Sequence, residues 1–194
     1  MKWILLFIMN SYPYQLFLRY ILPLLRWPKG LPTHVRHQFR NVVKKGDIIV
    51  CSTNLSLGAK LIPGVWDHAA IYTRNNSSLC FAEMIAKGFN ECDKAHFFDD
   101  CDSICILRPK KQWSMIYIDK FIGKCLSFKG CKYDRFFSLG VIALYCSEIV
   151  YHSDLWRLLK FNLEDIAGLG TKYLSPDGIY NCPDLKVVFE YRKA

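Results

Sequence analysis

The chain has no unbroken run of the about 20 apolar residues that a membrane-spanning helix requires. The nearest approach is at the N-terminus. Trp3 to Met9 is apolar after Lys2, but Asn10, Ser11 and Pro13 interrupt it, and the resumed stretch to Leu25 contains Arg19 and Pro23. No small-x-small cleavage site follows, which argues against a secretory signal. Two readings remain for this segment: a helix packed on the domain, or an interfacial segment whose aromatics and Arg19, Arg26 and Lys29 meet an anionic membrane surface through residues 1–29. Acidic residues are also scarce, 17 against 26 Lys and Arg, for a net charge of +9. That excess favours acidic partners. Yet no run of five basic residues occurs and no RNA- or DNA-binding signature is present, so nucleic acid is disfavoured. Internal repeats and low-complexity tracts are absent, which excludes solenoids and disordered tails.

The nine cysteines are odd in number and irregularly spaced. A disulfide scaffold would be shorter and denser in cysteine. Buried, reduced thiols in a cytoplasmic setting are the expectation, with membrane association as an addition. Cys92, His96, Cys101 and Cys105 have the ligand types of a zinc site. They lack its tight paired spacing, and Cys105 falls in an apparent strand, so no metal is expected.

Hydrophobic residues make up 52% of the 194, enough to fill a proper core. Trp27 to Pro32 is a Pro/Gly stretch that closes the N-terminal segment. The spacing predicts strands over residues 48–51, 68–73, 79–84 and 103–108, with a turn at Asn75 to Ser78 and a late strand at 187–189. Helical spacing covers 113–128, and the apolar stretch 139–155 reads as a central helix. Residues 33–45 are basic and partly helical in pattern. Residues 52–64, 88–102 and 129–137 read as connections, and Pro176-Asp177-Gly178 as a turn. Strands first and helices after point to an α+β fold with an antiparallel sheet. The expected division is an apolar and basic helical extension over 1–45 and a domain over 46–194.

Two segments carry the chemistry. Residues 66–72 read Trp-Asp-His-Ala-Ala-Ile-Tyr, an imidazole at the start of a buried strand. Residues 144–151 read Leu-Tyr-Cys-Ser-Glu-Ile-Val-Tyr, a thiol leading into a buried helix. A thiol and an imidazole that meet make a cysteine nucleophile with its base. The thiolate needs a cationic neighbour or a helix N-terminus, and the histidine needs a third group on its far nitrogen. Glu83 fits: if strands 68–73 and 79–84 pair across their turn, His68 and Glu83 come nearly opposite one another. Singly, each has a plainer reading: Cys146 as a core thiol, His68 as a satisfied histidine, Glu83 as a strand residue facing water. Cys51, at a strand end near the expected cleft, is the rival nucleophile. Glu148 is expected to be buried, in a structural pair with Arg or Lys.

The ordered series Gly46-Asp47-Ile48-Ile49, Pro63-Gly64-Val65-Trp66-Asp67-His68, Glu83, Gly88, Leu107-Arg108-Pro109, Tyr133-Asp134 and Tyr145-Cys146-Ser147-Glu148 resembles the YiiX/YaeF-like permuted papain-like cysteine hydrolases. That family is a branch of the NlpC-type superfamily; poxviral and lecithin:retinol acyltransferase-like enzymes are similar to the same group. The resemblance covers about residues 46–152. It implies a papain-like core in permuted order, its antiparallel sheet packed against helices. It also implies His68 as base, Glu83 as orienting residue and Cys146 as nucleophile with its own N–H on the oxyanion. Trp66 and Tyr133 would line the substrate cleft, with Asp134 holding its loop. Tyr145, where non-permuted relatives often carry Asp, inherits no role and stands only as a further cleft candidate. The implied activity is that of a thiol amidase or peptidase without a cofactor, acting on a peptide, isopeptide or acyl amide. A lipid thioesterase or acyltransferase at a membrane, or a binding protein on the same fold, are the alternatives.

Overall fold

The computed structural model describes residues 30–52, 64–74, 78–134, 139–140, 142–165 and 172–193. The N-terminal segment 1–29, most of the 52–64 connection and the centre of the 75–78 turn lie outside them.

Five strands and a late sixth build one antiparallel sheet: β1 (Ile48–Ser52), β2 (His68–Tyr72), β3 (Phe81–Ile85), β4 (Gly88–Cys92), β5 (Ser103–Pro109) and β10 (Leu185–Tyr191), in the order β10-β5-β1-β2-β3-β4. Ile48 to Cys51 of β1 are all buried because both faces of the sheet are covered. On one face lie α1 (Thr33–Val42) and α2 (Lys94–Asp100). Val35 and Phe39 of α1, four residues apart, join Phe81, Phe97 and Phe98 in an aromatic layer. On the other lie α3 (Met115–Leu126), α4 (Cys146–Ser153) and α5 (Pro176–Tyr180), over Val50, Ile71, Met84 and Leu107. Short ladders β6 (Lys132–Tyr133) with β7 (Ala143–Leu144) and β8 (Glu164–Asp165) with β9 (Lys172–Tyr173) complete the elements.

Helix starts carry their own signals. The Asp93 side chain accepts the His96 N–H at 2.8 Å, Ser114 accepts Tyr117 N–H at 3.2 Å, and Ser175 accepts Gly178 N–H at 2.8 Å, with Pro176 at the first helical position. Arg108 holds the Gly46-Asp47 corner as a bidentate fork: Nε donates to Asp47 Oδ1 and Nη2 to Oδ2, each at 2.7 Å. The same Nη2 reaches Val42 O at 3.0 Å, so one guanidinium joins β5, the β1 lead-in and the end of α1.

The α+β architecture with an antiparallel sheet is as the sequence implies. Four local expectations change. Residues 139–155 are not one helix: β7 comes first, paired in parallel with β6, and α4 begins at Cys146. A continuous apolar run does not distinguish buried strand from buried helix. Residues 88–102 hold β4 and α2 rather than a bare connection. The 129–137 stretch contains β6, and Pro176-Asp177-Gly178 is the first turn of α5.

Candidate active site

His68 is the first residue of β2, and α4 packs across β2 and β3. The β2–β3 register sets Ala70 opposite Glu83. His68 and Glu83 are therefore diagonal rather than directly opposite: they share a face, offset by two residues, and their longer side chains close the gap. His68 Nε2 bonds Glu83 Oε2 at 2.7 Å. The other oxygen of Glu83 accepts Asn90 Nδ2 at 2.8 Å and the Cys92 thiol at 3.5 Å. Asn90 is directly opposite Glu83 in the β3–β4 hairpin. Sequence reasoning missed it because it treated this stretch as a connection. The signal was Gly88, whose φ of +108° fits the two-residue turn. A Cβ there would also stand 2.5 Å from Cys131 O.

Cys146 is the second group that acts on His68, whose Nε2 is engaged by Glu83. Burial opposes protonation of His68. Hydrogen bonding to Cys146 and Glu83, and the charges of the same two groups, outweigh it, so its pKa lies well above that of an ordinary histidine. Burial likewise pushes the Glu83 carboxyl up, but His68, then Asn90 and Cys92, more than reverse it, and its pKa is lowered.

The nucleophile end is held by Glu148. Its wholly buried carboxylate accepts the Gly140 N–H at 2.9 Å and the Tyr145 N–H at 3.1 Å, while Glu148 N–H returns to Tyr145 O at 3.1 Å. The expected Arg or Lys partner is replaced by backbone amides, with His152 Nε2 at 3.7 Å. These bonds fix the residue before Cys146 and so fix where α4 starts. The Cys146 N–H belongs to the first turn, whose N–H groups have no acceptor within the helix.

Other candidates are placed as follows. Trp66 is 1% exposed, its ring 5.6 Å from Tyr180 and beneath the Arg192 guanidinium. Tyr145 is buried and its hydroxyl accepts the Leu174 N–H at 2.8 Å. Tyr133 is half-buried beside the site. Burial, then the charge of Cys146, raises its pKa, so it stays a phenol. Asp134, also buried, donates its N–H to Leu144 O at 2.9 Å. Cys51 is the cross-strand partner of His68, but hydrogen bonding to Cys101, then burial, drives its pKa well up, which keeps it a thiol. Cys92 lies against Glu83, His96 is on the exposed side of α2, and Cys101 and Cys105 belong to opposite faces of the sheet. Among the described residues no cluster of three or more His, Cys, Asp or Glu is arranged to hold a metal ion. None of their helices is long and apolar enough to cross a membrane.

A thiol at a helix start, an imidazole from a strand earlier in the chain and a buried carboxylate behind it are what a permuted papain-like core would bring together. Residues 42–189 match the family model described as permuted papain-like amidase enzyme, YaeF/YiiX, C92 family. The chain belongs to this family. It is thereby an amidase-type, cysteine-peptidase-like member of the papain-like hydrolases. The fold is similar to that of the metalloprotein YiiX from Escherichia coli O157:H7, with a TM-score of 0.71 at 16% identity over 78% of this chain and 99% of that one. At that identity the likeness speaks for the fold. No curated protein sequence matches the chain.

Proposed function

We propose that this C92-family chain hydrolyses an amide through a Cys146–His68–Glu83 triad and a thioester intermediate. The observation that carries it is the bond from His68 Nε2 to Glu83 at 2.7 Å, with Cys146, the first residue of α4, as the other group that acts on the imidazole. The raised pKa of His68 supports an imidazolium beside the sulfur, the partner a thiolate requires.

The Cys146 thiolate attacks the carbonyl carbon, forming the C–S bond and an oxyanion. The Cys146 N–H and the N-terminal dipole of α4 face that charge. As the C–N bond breaks, His68 gives its proton to the leaving nitrogen. Water then loses a proton to His68 and attacks the thioester, and the carboxylic acid leaves as sulfur regains its charge. Glu83 stays ionised and holds the ring. Tyr133, a neutral phenol by the thiol, is the cleft residue best placed to donate to a bound acyl group, whereas Trp66 and Tyr145 form the packed wall behind. The substrate is a peptide, isopeptide or N-acyl amide.

The test is labelling with an iodoacetamide-type probe at low excess, in competition with peptide amides and N-acyl amides. Labelling should centre on Cys146, be protected by the amide that is turned over, and vanish in Cys146→Ala together with hydrolysis. Labelling retained in Cys146→Ala and centred on Cys51 would overturn the assignment.

A further inference from the structure

The chain beyond α4 turns its apolar side chains outward. Leu155, Trp156 and Leu158 are exposed, Trp156 by 53%, and so are Met115 and Ile116 on the first turn of α3, by 63% and 69%. This is not a slack loop. The buried Asp154 carboxylate accepts the N–H groups of Leu158 at 3.0 Å and Leu159 at 2.7 Å, and the Tyr117 hydroxyl. Arg157 takes a φ of +50°, rare for a residue with a side chain, and its guanidinium caps Tyr151 O at 2.7 Å. The Trp156 ring lies 4.5 Å from Tyr117, which lies 4.7 Å from Trp113. The turn is fixed from inside while its apolar tips face out.

Between the 109–114 segment that leads into α3 and this turn runs a groove of about 410 Å³. Lys110, Lys111, Arg157 and Lys160 stand on its walls, and Lys120 Nζ lies 5.2 Å over the Trp156 ring. The acids nearby are otherwise engaged. Asp184 takes the Lys160 backbone N–H at 2.8 Å, and Asp119 pairs with Lys45 at 2.8 Å. The four lysines form no ion pair with any carboxylate of the described residues.

We propose that this end of the molecule docks on an anionic lipid bilayer, with Leu155, Trp156, Leu158, Met115 and Ile116 entering the interface and the cations meeting the headgroups. Tryptophan and aliphatic tips ringed by Lys and Arg match the layered polarity of that interface. A nucleic acid would use the cations and the aromatic faces but leave four outward aliphatic side chains without a role. The eight-residue α4 spans about 12 Å. Docking would therefore set Cys146, at its far end, at a fixed height above the headgroups.

The test uses the full chain and vesicles of phosphatidylcholine with or without 30% phosphatidylserine, about the fraction that gives a negative surface. Flotation should show binding to the anionic vesicles, at least tenfold weaker in Leu155→Ser/Leu158→Ser and again in Lys110→Glu/Lys111→Glu/Lys160→Glu. Brominated acyl chains should quench tryptophan fluorescence in the parent and much less in Trp156→Phe. The charge-reversal variant leaves the packed turn intact, so it decides the matter even where the serine variant folds poorly. Three results would each overturn the proposal: no vesicle binding by the parent, parent-level binding by the charge-reversal variant, or binding of a single-stranded oligonucleotide in place of vesicles.

Discussion

Glu83 and Glu148 are both buried glutamates, one bonded to His68 and one two residues after Cys146, and they are satisfied in opposite ways. Glu83, in the β2–β3–β4 region, accepts from side chains: His68, Asn90 and Cys92. Glu148, at the start of α4, accepts mainly from backbone N–H groups, those of Gly140 and Tyr145. The first carboxylate faces a partner that gains and loses a proton, so its region responds to pH and can take part in chemistry. The second is held chiefly by backbone amides, with His152 Nε2 farther off at 3.7 Å, so its region serves as a frame. A hydrolase needs both: a movable proton and an immobile sulfur.

Substitutions can break or sharpen this contrast. The largest effect should come from the titrating side. His68→Ala should lower amide hydrolysis by about 10²–10⁴-fold, read by initial rates, and calorimetry should also show a loss of stability, because the buried Glu83 carboxylate is left without its ion-pair partner. Glu148→Ala should act first on stability. It strands the buried Tyr145 N–H and the partly buried Gly140 N–H at about 1–3 kcal/mol each, so urea unfolding should show roughly 2–6 kcal/mol lost, and unchanged stability would end the account of it as a frame. Glu83→Gln comes next. The folded pKa of His68 lies above its ordinary 6.5, so its stabilisation is complete below that value and is lost as pH rises through the raised one. Glu83 runs the other way: its contribution is complete above its ordinary 4.5 and is lost as pH falls through the lowered value. In the parent, the alkaline limb of amide hydrolysis, where the proton for the leaving nitrogen is lost, should therefore stand well above pH 6.5, and in Glu83→Gln it should move down. A pH profile that stays put would remove Glu83 from behind His68. The smallest effect belongs to Asn90→Ala, which removes one bond to a charged group. It should cost at most about 1.5–3 kcal/mol and shift the same limb only slightly.

The contrast also marks what the sequence could and could not tell. His68, Glu83 and Cys146 were legible because each sits at an element whose pattern is strong: two short apolar strands and a buried helix. The β2–β3 register was not. A one-residue shift in the centre of a turn moves the pairing by two, and an alternating strand looks the same after such a step. Asn90 was hidden because the half-exposed residues of β4 show no alternation. Glu148 was seen as buried, yet its partners are backbone amides, which leave no trace in side-chain identity. The start of α4 was blurred for a similar reason: β7 is too short and too apolar to punctuate the run before Cys146.

Asp177 carries a consequence of a different kind. Its carboxylate accepts the N–H groups of Val65 at 3.3 Å and Trp66 at 3.1 Å, pinning the lead-in to His68 from a position more than a hundred residues later. A Cβ on Gly64 would collide with that carboxylate, so the fit there is close. During synthesis the ribosome delivers histidine, glutamate and thiol in turn, and the clasp that steadies the first of them only after the last. A nascent chain halted before α5 would thus carry His68, Glu83 and Cys146 and still lack the tie that pins the backbone leading into β2.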